Sequence, residues 1–215
     1  MTTSSQPIAV ITGGARGIGR QLATDLLARG YLVVIGDLDQ AATDATAAEL
    51  GAGASAVRLD VTDRTNLAAV VAHVEATVGP IALWINNAGI MPTGPFRDQK
   101  MAVARAIIDI NYAGVVEGTA AVLPGMLERH AGTIVNLASA TGIKPLAGVA
   151  VYSGTKAAVI AFTQSLRREL RGTGVRLIVV SPNLVRTALG AGITPPRLTG
   201  VITAPMVSAA IMAAP

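Results

Sequence analysis

The 215-residue chain is predicted to fold as an α/β protein around one doubly wound parallel sheet, with strand order 3-2-1-4-5-6. Three observations predict it. Six short apolar runs alternate with stretches whose apolar residues recur at helical spacing. The runs are apolar nearly throughout instead of at every second residue, which suits strands covered on both faces. The first run opens into a glycine-rich turn, Thr12-Gly13-Gly14-Ala15-Arg16-Gly17-Ile18-Gly19, where a sheet of this kind presents a helix N-terminus to a ligand.

Residues 8–11, behind Pro7, form the first strand, and the helix after the turn occupies 20–29, with Leu22, Leu26 and Leu27 at helical spacing and Gly30 as its stop. Gly13, Gly17 and Gly19 make G-x-x-x-G-x-G, a variant of the G-x-G-x-x-G fingerprint. Glycines there let the backbone turn sharply and approach a pyrophosphate, whose charge rests on free amides at the helix N-terminus. The second strand, 32–37, ends on Asp37, 24 positions after Gly13. A carboxylate at about that offset accepts hydrogen bonds from an adenosine ribose and repels a 2′-phosphate. The plainer alternative is that Asp37 or Asp39 caps the helix beginning near Gln40. Arg16 pulls toward a 2′-phosphate; the balance favours NAD, with NADP as the alternative.

The third strand is expected at 56–61, followed by Thr62 as N-cap of a helix through Val78 that Gly79-Pro80 ends. Residues 81–85 form the fourth strand and lead into Asn86-Asn87-Ala88-Gly89, which is either a set of amides facing a ligand or an Asn-rich turn. A long helix spans 102–129, interrupted by Gly114 and Pro124, with Asn111, a poor helix former, in its core-facing middle. A fifth strand at 133–137, a loop at 139–149, a helix at 152–171 and a sixth strand at 176–180 complete the sheet. No repeat, low-complexity stretch or linker divides the chain, so 1–215 is expected to be one domain, with 1–6 a frayed tail and 188–215 a C-terminal segment over the substrate.

Composition narrows the class. Half the residues are hydrophobic and mean hydropathy is +0.54, yet no uninterrupted apolar run reaches the ~18 residues of a spanning helix. Residues 1–6 lack the basic and apolar parts of a secretory signal, so a soluble cytoplasmic protein is expected. With no cysteine, and with His73 and His130 isolated, there is no metal-ligand pattern. Residues 1–110 carry a net charge of −2 and residues 111–215 carry +6. No aromatic interleaves with Arg167, Arg168, Arg171 and Arg176, so they read as a solvated helix end and not a nucleic-acid patch.

Tyr152 and Lys156 lie four apart on a helix and leave the same face. An ammonium within several ångströms of the phenol favours phenolate and would pull its pKa down from about 10 toward the working pH. Such a tyrosine exchanges a proton with an alcohol or ketone. Ser139, at the end of the fifth strand, is placed to hydrogen-bond the same oxygen, or else is an ordinary loop cap.

Taken together, residues 12–19, Asn86-Asn87-Ala88-Gly89, Asn111, Ser139 and Tyr152-Ser153-Gly154-Thr155-Lys156 stand in the order and approximate spacing of the short-chain dehydrogenase/reductase family, which the chain resembles over about residues 8–187. The resemblance implies a Rossmann-type sheet and hydride transfer between a nicotinamide cofactor and a secondary alcohol or ketone. Tyr152 would be the acid/base, Lys156 would lower its pKa and hold the nicotinamide ribose, and Ser139 would orient the substrate oxygen. Asn111 would anchor a water joining Lys156 to a proton relay. Gly13, Arg16, Gly17, Ile18 and Gly19 would line the phosphates, Asp37 the adenosine ribose, Asp60 and Val61 the adenine, and Asn87, Ala88 and Gly89 the cofactor's sugar region. Val185 and Thr187 match positions facing the carboxamide. Helices 102–129 and 152–171 would pair across two-fold axes in a homodimer or homotetramer.

Two departures from the family pattern stand out. Asn183 replaces the glycine usual after Pro182, and the chain ends at Pro215 without the final strand that members commonly add. The sixth strand is then expected to be an open edge unless a partner or residues 198–212 cover it. Ile90, Met91, Ile143, Leu146 and Val149 near the expected pocket point to an apolar substrate, steroid-, retinoid- or acyl-like. The alternative is an NAD(P)-binding protein without turnover, serving as sensor or structural partner.

Overall fold

A computed structural model of the chain describes residues 6–183 and 202–213. β1 (Ile8–Thr12), β2 (Leu32–Asp37), β3 (Ala54–Arg58), β4 (Ile81–Asn86), β5 (Gly132–Leu137) and β6 (Val175–Val180) form one parallel sheet in the order β3-β2-β1-β4-β5-β6. The helices are α1 (Gly17–Leu27), α2 (Gln40–Leu50), α3 (Arg64–Thr77), α4 (Met101–Ile108), α5 (Gly114–Glu128), α6 (Ala150–Glu169) and α7 (Ala204–Met212).

Period-2 alternation along β1 sorts the core onto two faces. Ile8 and Val10 join Trp84, Ile134 and Leu177 under Leu67, Val70 and Val74 of α3 and Val122 and Met126 of α5. Ala9 and Ile11 face the other way, onto Leu22 and Leu26 of α1 and Val207 and Ile211 of α7. Because both faces are covered, the strands could not show the alternation of a one-sided sheet. The order reverses between β1 and β4, which opens a crevice at the strands' C-terminal ends.

Several boundaries differ from expectation. β3 ends at Arg58, so Asp60 and Val61 lie on the loop beyond it. Asp63, not Thr62, caps α3: its carboxylate accepts from the amides of Thr65 (2.8 Å) and Asn66 (3.1 Å). The helix read as one from 102 to 129 is broken not at Gly114 or Pro124 but at Asp109–Ala113, a π-helical turn centred on Asn111, and α5 runs on through Pro124. α7, from the segment named as one possible cover for β6, lies on the sheet face beside α1.

Met101–Glu128 is 28 residues long with an 18-residue window of mean hydropathy 1.3, enough by length and composition to cross a bilayer. In the fold its Val115, Val122 and Met126 are buried and α5 lies against α3 and β4, so its apolar face is spent on the protein.

Candidate active site

The glycine turn is pinned to the end of β4. Asn87 Nδ2 donates to the carbonyls of Thr12 (2.9 Å) and Gly13 (2.8 Å), and Thr12 Oγ1 accepts from the amides of Asn87 (3.0 Å) and Ala88 (3.1 Å). Gly13 has φ +64°, and a Cβ there would stand 2.7 Å from Ala88 Cα. At Gly19 a Cβ would stand 2.7 Å from Asn87 Nδ2 and 2.8 Å from Gly14 Cα. Neither position has room for a side chain. Among the described residues no side chain caps α1, so its N-terminus keeps the free amide donors of an uncapped helix. A tight backbone cradle and an uncapped helix N-terminus fit the phosphates of a dinucleotide.

Beside the turn lies a cavity of about 630 Å³, within the ~300–1,000 Å³ usual for small-molecule sites. Gly13, Arg16, Gly17, Ile18, Asp37, Asp60, Val61, Asn87, Ala88 and Gly89 all line it. Gly19 is buried behind them, while Val185 and Thr187 lie outside the described residues. Of the two carboxylates offered as the cap of α2, Asp39 fills that place. Asp39 caps α2 by accepting from Ala42 N at 3.1 Å, and Asp37 accepts from the amides of Ala15 and Asp39, each at 3.3 Å. Arg16 pairs with Asp39. The Asp60 carboxyl is held below its usual range by the hydroxyl and then the amide of Thr62.

Ser139, Tyr152, Lys156 and Asn111 are all buried, and the group meets the cavity at its lining residue Gly89. Lys156 Nζ donates to the Leu137 carbonyl at 2.7 Å and lies 5.7 Å from the centre of the Tyr152 ring. It also lies near Gly89, where a Cβ would be 3.8 Å from Nζ and 3.2 Å from Asn111 Oδ1. Asn111 owes its place in the helix to the π turn, which carries its amide to Ile90: Oδ1 accepts from Ile90 N and Nδ2 donates to Ile90 O, both at 2.8 Å.

One expected shift has the opposite sign. Burial pushes the Tyr152 phenol above its ordinary value, and the group that opposes the rise is the Ser139 hydroxyl, not the Lys156 ammonium. Lys156 spends a hydrogen bond on Leu137, and burial pushes its own pKa down to about 8. Four-residue spacing fixes which face the two side chains share; it does not say how dry that face is.

Several contributors escaped the sequence reading. Thr141 places both its amide (3.2 Å) and its hydroxyl (3.1 Å) on Ser139 Oγ. Asn86 accepts from Trp84 Nε1 (2.7 Å) and donates to Asn136 Oδ1 (2.8 Å), and Asn136 donates to Thr163 Oγ1 (3.0 Å), a buried chain that ties β4 and β5 to α6 below the site. Two asparagines at matching strand ends were the available signal. Around Tyr152 gather Ile90, Met91, Ile107, Leu146 and Val149, while Ile143 stays 71% exposed and outside this cluster.

Comparison with known proteins agrees with this geometry. The family model for short chain dehydrogenase matches residues 7–197. A ketoacyl reductase, HetN, of Nostoc sp. is 36% identical over all of this chain and 77% of its own length. The 2-(S)-hydroxypropyl-CoM dehydrogenase 3 of Xanthobacter autotrophicus is also 36% identical, over 94% of this chain and 79% of its own. A crystal structure of 3-ketoacyl-(acyl-carrier-protein) reductase from Brucella melitensis complexed with NADH superposes with a TM-score of 0.91 at 25% identity, covering 96% of this chain and 89% of that one. A matched family model over most of the chain, and relatives this similar over most of their own lengths, lead to one assignment: the chain belongs to the short-chain dehydrogenase/reductase family of NAD(P)-dependent oxidoreductases.

Proposed function

We propose that the protein interconverts a secondary alcohol and a ketone on a largely apolar substrate, with NAD as the preferred cofactor. The observation that carries the proposal is the buried Ser139, Tyr152 and Lys156 group standing where the cavity floor at Gly89 meets the apolar cluster of Ile90, Met91, Leu146 and Val149. The relatives' names support a keto or hydroxyl group carried on an acyl or alkyl chain.

The cofactor, when bound, supplies or takes the hydride at the substrate carbon. The chain's residues manage the oxygen. In reduction, Tyr152 Oη gives its proton to the carbonyl oxygen as charge develops there, and the Ser139 hydroxyl donates to the same oxygen. The phenolate left behind is favoured by the Ser139 hydroxyl, and Lys156 would hold the nicotinamide ribose. Oxidation runs the same steps backward, with the phenolate taking the alcohol proton. At the other end, Gly13, Gly17, Ile18 and the α1 amides would receive the phosphates. Asp37 would accept from the adenosine ribose, and Asp60, Val61, Asn87 and Ala88 would close the cavity around the rest. The family's habit of oligomerising makes a homodimer or homotetramer our reading of the assembly.

Titration with NADH and NADPH, read by nicotinamide fluorescence, tests the cofactor, and a panel of apolar ketones and polar polyols tests the chemistry. Tight NADH binding weakened at least about tenfold by Asp37→Ala, with turnover abolished by Tyr152→Phe while binding persists, is the expected result. Turnover of polyols alone overturns the substrate reading, and cofactor binding without any turnover overturns the catalytic one.

A further inference from the structure

We propose that Asp39 is a second cofactor-selectivity residue, which acts by holding Arg16 in an ion pair and so withdraws the cavity's cation from a 2′-phosphate. The inference rests on the reading that the cavity takes a nicotinamide dinucleotide. Among the described residues that line it, three are carboxylates (Asp37, Asp39 and Asp60) and Arg16 is the single cation. Arg58, opposite Asp37 in the β2–β3 register, is not among the lining residues.

Arg16 is therefore the group on this rim that could offset the nearly two negative charges a 2′-phosphate brings next to Asp37. Its guanidinium is already engaged, Nη2 donating to Asp39 Oδ2. The engagement is one-sided, because Asp39 is the fixed partner. Its Oδ1 accepts from Ala42 N, its carbonyl accepts from the amide and hydroxyl of Thr43, and its own amide donates to Asp37 Oδ1. To follow Arg16 toward a phosphate, Asp39 would have to abandon the N-terminus of α2. To stay, it keeps the arginine's charge neutralised. Asp37 then meets the ribose, and Asp39 governs what is available for the phosphate.

The pair is exposed, with the two side chains 66% and 50% accessible, so its hold is worth a factor of several and not orders of magnitude. The test is a four-protein cycle of wild type, Asp39→Asn, Arg16→Ala and the double variant, each titrated with NADH and NADPH. Asparagine caps a helix as well as aspartate does, so α2 is preserved. Asp39→Asn is expected to tighten NADPH binding about fivefold. On the Arg16→Ala background the same change should gain less than about twofold. An equal gain with and without Arg16 overturns the proposal, because Asp39 would then act by repelling the phosphate directly. No gain in Asp39→Asn overturns it as well. Failure of the wild type to bind NADH defeats the cofactor reading itself, a result separable from the other two because they require wild-type NADH binding.

Discussion

Lys156 offers a test of the site that needs no substrate. Its ammonium is fully buried, and the drop from 10.5 to about 8 is the cost of keeping that charge out of water. At about 1.4 kcal/mol per pH unit, the folded state bears about 3 kcal/mol whenever the side chain is protonated in both states, that is, below pH 8. The bond from Nζ to the Leu137 carbonyl returns about 1.5–3 kcal/mol. Lys156→Met keeps the length and loses both terms, so at pH 7 the two proteins should differ little in stability. Between pH 8 and 10.5 they should part. There the unfolded lysine still holds the proton that the folded one has released, so wild-type stability rises with pH while the variant's does not. Tyr152, whose phenol burial pushes up, is common to both proteins and largely cancels. Urea unfolding of the pair at pH 7, 8, 9 and 10 should show the difference moving toward the wild type by about 2–3 kcal/mol. A difference constant to within about 0.5 kcal/mol would show that the lysine is not buried as a cation, and would refute the electrostatic account of the site.

Two other outcomes follow from the same geometry. Burial keeps the Tyr152 phenol protonated at neutral pH, so kcat for ketone reduction should be flat around pH 7 and fall on the alkaline side, whereas kcat for alcohol oxidation should climb with pH; profiles measured in both directions check this. Gly19→Ala forces a methyl group against Asn87 Nδ2 and Gly14 Cα, and should cost about 1–3 kcal/mol by thermal melting together with a loss of NADH affinity of at least about tenfold.

Much of this molecule could be read from its residues, and what escaped did so for physical reasons. The doubly covered parallel sheet followed from apolar runs that do not alternate, because burial on both faces leaves no polar side to mark. The glycine turn was legible because close backbone approach excludes every other residue. Asn111 was recognised as a misfit, yet the π turn that accommodates it was not, since one extra residue in a helical turn changes no composition and little periodicity. Thr62 and Asp63 are adjacent capping residues, and only the loop's path chooses between them. The sign of the Tyr152 shift was missed because spacing reports direction along a helix, while desolvation depends on Ile107, Ile90 and other residues distant in sequence. Asn136, next to the last residue of an apolar strand, was passed over because its partners come from β4 and α6.

That buried chain of amides bears on how the sheet assembles. Apolar strands such as β4 and β5 are greasy along their whole length, and a shift of one residue would bury nearly as much hydrocarbon as the correct pairing. The pairing of Asn86 with Asn136 breaks this near-degeneracy. With β5 displaced by one position, Asn136 would turn to the opposite face and leave Asn86 Nδ2, Asn136 Oδ1 and Thr163 Oγ1 without one another. Two lost buried bonds at about 1–3 kcal/mol each are a sizeable part of the ~5–15 kcal/mol that holds a domain folded. β4 and β5 thus carry their own proofreading: a misaligned sheet is dry enough to form but too poorly bonded to persist.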